Sequence, residues 1–248
     1  MSLLVAALAA GVGTLLLLGG TLTIRATGAQ LGLGRRFAGA RELPVGELLD
    51  LGEIPARPVR VVGRIRAGDP LQLPEGERLV VFHRDVEIHA GRGRWRTVER
   101  LRETRSFDLW DHDGSLPLDP ARAAEPLVVI PEIWRGTVNE LDVTHRRAAE
   151  RLVSAAADGI AARAITRTVN IVDRLRVLAI VRRSAAGALE LAPPPGGYVI
   201  SNLEVDEAIR VLGGPRRELI GPALVASFLG AGLLVAALGA AIGGLLAR

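Results

Sequence analysis

The chain has 248 residues, a formal charge of +4 and neither cysteine nor lysine, so all 31 of its cationic side chains are arginine. These counts exclude disulfides, a thiolate nucleophile, Cys-ligated zinc and Schiff-base chemistry on lysine, and four histidines are too few for a dedicated metal cage. Arginine in place of every lysine, with only three Asn and two Gln, reads as GC-rich coding bias.

Charge is distributed unevenly. From Met1 to Ile24 and from Ile220 to Ala247 there is no ionisable side chain. As helices these stretches reach about 36 and 42 Å, against a hydrocarbon core of about 30 Å, and residues 1–24 and 220–247 are predicted to span a membrane. The first stretch has no positive n-region and is predicted to remain as a signal anchor. Small residues recur at helix-packing spacing: Ala9 and Gly13 in the first span, and in the second Gly232, Ala236, Ala240 and Gly244, with Gly239 and Gly243 forming a GxxxG. Such stripes admit a close partner, either the other span of the same chain or the span of a second copy, which would make a homo-oligomer.

Residues 25–57 read as a linker and a short helix. Gly28 to Arg41 is Gly/Arg-rich, and Val45 to Leu51 has helical apolar spacing ended by Pro55 and Pro58. Residues 58–214 read as a β-rich domain, with period-two or apolar β-rich runs at Val59–Ile65, Leu79–Ile88, Trp95–Leu101, Ser106–Trp110, Leu127–Ile133, Leu175–Val181, Ala188–Leu191 and Tyr198–Ile200. One long helix is expected to interrupt them, with Ala149, Leu152, Val153, Ala156, Ile160 and Ala164 on one face and Thr144 as its N-cap. A second helix is predicted from the capping-box pattern Ser201-Asn202-Leu203-Glu204 to Leu212, stopped by Gly213, Gly214 and Pro215. The predicted fold class is α+β: a mainly β domain, OB-like or an open antiparallel sheet, between two transmembrane α-helices.

In their order, Val59-x-Val-x-Gly63, Val80-Val-Phe-His-Arg84, Trp95-Arg-Thr-Val98, the run from Phe107 through Asp111-x-Asp113-Gly114 to Pro120, and Tyr198-Val-Ile-Ser201 before an amphipathic helix are similar to the "beside a membrane" domain of GIDE/Mulan-type mitochondrial E3 ubiquitin ligases. The resemblance covers roughly Pro58 to Leu212 and implies a membrane-proximal β domain used for recognition or regulation. It does not carry the ligase activity across, because in that family transfer belongs to a zinc-binding RING built on Cys and His, and this sequence has no Cys. It also departs from the family where a Glu would follow an arginine: Arg167 is followed by Thr168-Val169-Asn170.

Asp111-His112-Asp113-Gly114 is the most reactive-looking cluster, yet it is expected to be a turn, with Asp accepting backbone hydrogen bonds and Gly114 supplying positive φ. His83 and His89 lie six residues apart on one strand, about 20 Å by strand geometry, and cannot share a metal. There is no G-x-S-x-G, HExxH, Walker loop or GxGxxG after a strand. Gly91-Arg-Gly93-Arg-Trp95 is a basic loop beside an aromatic, but eight aromatics in the chain are few for stacking on nucleic acid, and Phe82, Phe107, Trp95 and Trp110 are expected in the core. Trp134 is expected on the domain or at lipid headgroups.

The function expected is binding or scaffolding by a domain held beside a bilayer, with no catalytic residue, metal or cofactor assigned. Its partners are expected to be the bilayer and a protein rather than nucleic acid. The candidate partner surface comprises Arg84, Trp95, Arg96, Asp111, His112, Asp113 and Gly114. The alternative is an enzyme, either a hydrolase using Asp111, His112 and Asp113 or a ligase component borrowing its RING from another chain. Arg25, Arg35, Arg36, Arg41, Arg210, Arg216 and Arg217 flank the spans on the domain side against Arg248 alone on the other, which predicts a cytoplasmic domain in the cell membrane, whereas the family resemblance implies an exoplasmic one.

Overall fold

The computed structural model describes residues 3–74, 76–91, 93–153, 159–213 and 220–246. The chain divides into two compact units, residues 1–38 with 209–248, and residues 39–208. Helix and strand are about equally represented over the chain, so the fold is mixed α/β, and the mainly β character belongs to the second unit.

The first unit is built on helix α1 (Leu3–Gly39) and helix α5 (Ile220–Leu246). Both are long and apolar enough to cross a membrane, over Ala7–Ile24 and Gly221–Ala240. Glycine lets their backbones meet: a Cβ on Gly13 would lie 2.9 Å from the Gly230 carbonyl, and one on Gly230 would lie 2.6 Å from the Gly13 carbonyl. Gly20 is as tight against Ala223 and Ser227. The contact face of α5 therefore runs through Ala223, Ser227 and Gly230. Leu15, Leu22, Phe228 and Val235 are exposed around this pair, an arrangement suited to hydrocarbon rather than water.

Helix α1 also corrects the expected linker. Gly28 to Gly39 is not a linker: the helix continues unbroken to Gly39, because each of its spaced glycines costs only about 1 kcal/mol in a helix already nucleated by a long apolar run.

The second unit contains two sheets. The first follows the order β11-β10-β2-β6-β7, where β2 is Val59–Arg66, β6 Phe107–Trp110, β7 Ser115–Leu118, β10 Arg174–Arg183 and β11 Leu189–Ala192. Strand β1 (Glu42–Pro44) pairs parallel with β2, and β12 (Val199–Ser201) pairs with β10. The two ends of the path, β11 and β7, come side by side, so this sheet is a nearly closed barrel. The residues that point inward follow from period two: Val59, Val61 and Ile65 alternate with Arg60, Arg64 and Arg66, and Leu175, Val177, Ala179 and Val181 with Arg174, Arg176 and Arg182. Helix α2 (Val45–Leu49) adds Val45 and Leu48 to this interior.

The second sheet follows the order β3-β4-β9-β8, with β5 on the other side of β4; here β3 is Leu71–Gln72, β4 Arg78–His89, β5 Trp95–Thr104, β8 Glu132–Thr137 and β9 Ala161–Asn170. Helix α3 (Val143–Val153) covers one face, over a smaller core of Val86, Ile88, Val138, Leu141, Ala149, Ala162 and Ala164. At the other end of the same strands Val80, Val81 and Val169 join the barrel core, which ties the sheets together. Helix α4 (Val205–Gly213) follows β12.

Several expectations need correction. Ile160 to Ala164 was assigned to the long helix, but α3 ends at Val153 and Ala161 begins a ten-residue strand; Ala156, Gly214 and Pro215 lie outside the described residues. Asp142, not Thr144, caps α3, accepting from the backbone N–H groups of Thr144 and His145 at 2.9 and 3.1 Å. The strand expected over Leu127–Ile133 is displaced to Glu132–Thr137, while Leu127 and Val129 join the barrel core and Val128 is buried beside β12. Ser201 is the last residue of β12 rather than the cap of α4: its hydroxyl accepts from Leu203 N–H and the helix begins at Val205.

Candidate functional site

The Asp111–Gly114 segment connects β6 to β7, and its aspartate is used up in building the turn. Asp111 Oδ1 accepts from the backbone N–H groups of Asp113 and Gly114 at 3.0 and 3.3 Å. Its Oδ2 accepts from Gly46 N–H at 2.7 Å, capping from a distance the helix α2, whose own N-cap position is Pro44 and offers no side-chain acceptor. Burial raises the Asp111 carboxyl, but the three N–H donors, Gly46 foremost, outweigh it and hold the group below the usual carboxylate range. Asp111, His112 and Asp113 place ligand atoms within 4.8 Å of one another, yet with both Asp111 oxygens engaged a cation would find one exposed imidazole and one exposed carboxylate. Gly114 does not adopt the positive φ expected of it; Leu49 Cδ1 lies 2.2 Å from where a Cβ would stand, so this glycine serves close packing.

The remaining candidates fall on a different sheet and on both of its faces. Trp95 starts β5 and is more than one-third exposed, which corrects its expected place in the core; Phe82 and Trp110 are half-buried, and Phe107 is the buried member of the set. The guanidinium of Arg163 stacks on Trp95 at 4.1 Å and His89 meets its edge at 5.4 Å. Arg96 points the other way, its guanidinium donating to the Leu152 carbonyl of α3 at 3.5 Å, and Arg84 shares that face by strand alternation. Arg84, Trp95, Arg96 and the Asp111–Gly114 turn therefore form no single surface.

Beside Trp95 the structure assembles an ionic lattice that the sequence reading missed. Asp85 accepts a bidentate pair from Arg102 at 2.8 and 3.0 Å, with Arg100 at 3.4 Å and Arg167 at 3.8 Å. Arg102 also bonds Glu125 at 2.8 Å, and Arg163 bonds Glu87 at 2.6 Å. His83 is buried among these groups; burial first, then the Arg102 charge, push its imidazole below its ordinary value, so it is neutral at pH 7. Burial and Arg102 likewise lower Arg167 against the pull of Asp85. The lattice is largely self-compensated and pins the register of β4, β5 and β9. Alternating Arg and Asp/Glu along these strands was its available signal, and only the pairing shows that they converge.

A second cluster clasps the two ends of the β unit. Arg60, buried on β2, donates to Glu42 of β1 at 2.9 Å. Arg176 on β10 reaches the same Glu42 at 3.5 Å and makes a bidentate pair with Glu204, after β12, at 2.6 Å. One guanidinium thus bridges the segment that begins the unit and the segment that ends it.

Among the expected helix-packing residues, Ala9 is half-buried and Gly13 meets α5 directly. Gly232, Ala236 and Gly239 are exposed on α5, away from α1, with Ala240 half-buried; the surroundings of Gly243 and Gly244 lie outside the described residues. The same-chain partner contemplated for that stripe is therefore excluded for Gly232, Ala236 and Gly239. Comparison of the chain with family models, with curated proteins and with solved structures finds no match.

Proposed function

We propose that the protein is a two-span component of the cell membrane whose middle unit is a binding or scaffold domain of the GIDE-like kind. The observation that carries this reading is the Arg176 bridge between Glu42 and Glu204, which holds the unit's two ends at one place; separately, the two apolar helices pack on each other through Gly13 and Gly230. A domain suspended from a helix hairpin requires that arrangement, because spans in contact leave the bilayer about 8–10 Å apart. The order of β2, β4, β5, the β6–β7 turn, and β12 before α4 supports the family reading. The partners of such a domain are the lipid surface and a second protein.

Alkaline extraction of membranes from cells expressing the full chain tests the anchoring. Retention in the pellet is expected, and release into the supernatant would refute it. Trypsin applied to right-side-out and inverted vesicles then fixes the side, since the unit is rich in arginine. Digestion in inverted vesicles alone places the unit in the cytoplasm, as the arginine bias predicts; digestion from outside places it as in the ligase family. Copurification that reproducibly brings down a RING protein would support a ligase-component role.

A further inference from the structure

On the outer surface of the barrel, the side chains of Arg64 on β2 and Arg174 on β10 stand directly opposite each other in the ladder, about 5 Å apart at Cα. Like charges in directly opposed positions destabilise a sheet. Other arginines of this surface are neutralised, Arg60 by Glu42, Arg176 by Glu204 and Arg182 by Glu190 at 2.7 Å, while Arg66 stacks on Trp110. Among the described residues neither Arg64 nor Arg174 has a carboxylate within 4.0 Å or a hydrogen-bond partner for its guanidinium.

Arg64 and Arg174 both line a cleft of about 440 Å³ whose other walls are Pro44, Val62, Gly63, Trp110 and the Asp111–His112 turn. Trp110 is the ladder neighbour of Arg64 on the side away from Arg174, and its ring is fixed by Arg66 stacking at 4.5 Å. The acidic group in the wall, Asp111, has both oxygens occupied by backbone N–H donors, and Asp113 is paired with His112 at 2.9 Å. The cleft has the volume of a small-molecule site and a surplus of planar cationic donors.

We propose that this cleft binds a phosphate ester, with Arg64 and Arg174 as two forks on the phosphate oxygens and Trp110 as the wall for the organic part of the ligand. A carboxylate presents two oxygens and saturates one fork, whereas a phosphate monoester presents three terminal oxygens and can engage both. The monoester occurs in the headgroup of phosphatidic acid and in a soluble phosphorylated metabolite.

The test uses the full chain in phosphatidylcholine nanodiscs and has two arms: calorimetric titration with inorganic phosphate and pyrophosphate, and native mass spectrometry of lipid retained from nanodiscs doped with phosphatidic acid. Saturable binding in at least one arm is expected, weakened about tenfold or more by Arg64→Gln and by Arg174→Gln, with Arg183→Gln as an unaffected control. Binding in the titration arm alone identifies a soluble ligand, and lipid retention identifies a headgroup. Absence of binding in both arms overturns the proposal, as does binding that both substitutions leave intact. Should either Gln variant misfold, Arg64→Lys, which keeps the charge and removes the fork, decides: weakened binding is expected, and wild-type affinity would overturn the assignment.

Discussion

Helix α3 is held to its sheet by a histidine clamp whose strength should depend on pH. His145 Nε2 meets Glu99 of β5 at 2.6 Å, its Nδ1 bonds Asp142 at the start of the helix, and its side chain is 12% exposed. Burial lowers the imidazole, but hydrogen bonds to Glu99 and Asp142 and their charges outweigh it and hold it above its usual value. Both ring nitrogens face carboxylates, so both must carry protons for the clamp to close. Because the folded value is raised, the contribution is complete below the unfolded value of 6.5 and is lost as pH rises through the folded one. Asp142, held low chiefly by His145, weakens the clamp only when pH falls below the ordinary carboxylate range. A charge-assisted bond is worth about 1.5–3 kcal/mol, but Glu99 is 39% exposed and screening reduces its share to about 1 kcal/mol. Hydrogen exchange of α3 amides in the full chain should therefore show protection, corrected for intrinsic rates, falling about fivefold between about pH 5.5 and 8.5. In His145→Gln the slope should vanish. A wild-type profile that is flat across this range, or an unchanged slope in the variant, would show that the clamp is not what fixes α3.

The Asp111 turn separates a structural from a chemical role. Asp111→Ala removes the only side-chain acceptor on Gly46 together with the turn bonds and should cost about 1–2 kcal/mol in chemical denaturation, whereas the exposed His112→Ala should stay within about 0.5 kcal/mol. Equal effects of the two would contradict the assignment. Gly197, at φ +96° with the Ala124 nitrogen and Arg122 carbonyl each 2.7 Å from a built Cβ, should tolerate alanine poorly, with a loss of about 2–4 kcal/mol. A thermal melt within about 2 °C of wild type would disprove that. The α1–α5 contact predicts that Gly13→Cys with Leu233→Cys, Cβ positions 3.1 Å apart in a chain free of cysteine, will cross-link within one chain under mild oxidation once the added Cβ parts the helices by a few tenths of an ångström into disulfide range. Gly13→Cys with Gly232→Cys should not, and the reverse pattern on a reducing versus non-reducing gel would mean that α5 presents its other face to α1.

Composition and period carried much of this architecture. The absence of charge over residues 1–24 and 220–247 was enough to identify two apolar helices, because the desolvation cost of a single charge dominates any other term in hydrocarbon. Apolar residues at alternate positions, Val59, Val61 and Ile65 with Arg60, Arg64 and Arg66 among them, and the apolar β-rich run Leu175–Val181 were enough to identify β2 and β10. Where the signal was weak the reading went astray. In Ala161–Asn170 the positions that pack under α3 are Ala162 and Ala164, which are at home in helix or sheet, and an apolar spacing continued from α3 outweighed the β-branched content of Ile165, Thr166, Thr168 and Val169. Strands β1, β3 and β7 are two to four residues long, too short for any period to register.

The candidate sites divide along the same line. That Asp111-His112-Asp113-Gly114 is a turn could be read locally, since Asp and Gly favour turns for reasons contained in the residues themselves. That its Oδ2 would cap a helix 65 residues upstream could not. Nor could the sequence show that Trp95 and Arg96 lie on a different sheet from Asp111, that Asp85 gathers three arginines from two other strands, or that Arg64 stands beside Arg174 on the outer surface of the barrel with no acid between them. Residue type and local period report what each short segment prefers; strand register and sheet order, which decide which side chains meet, are set by burial summed over segments distant in the chain.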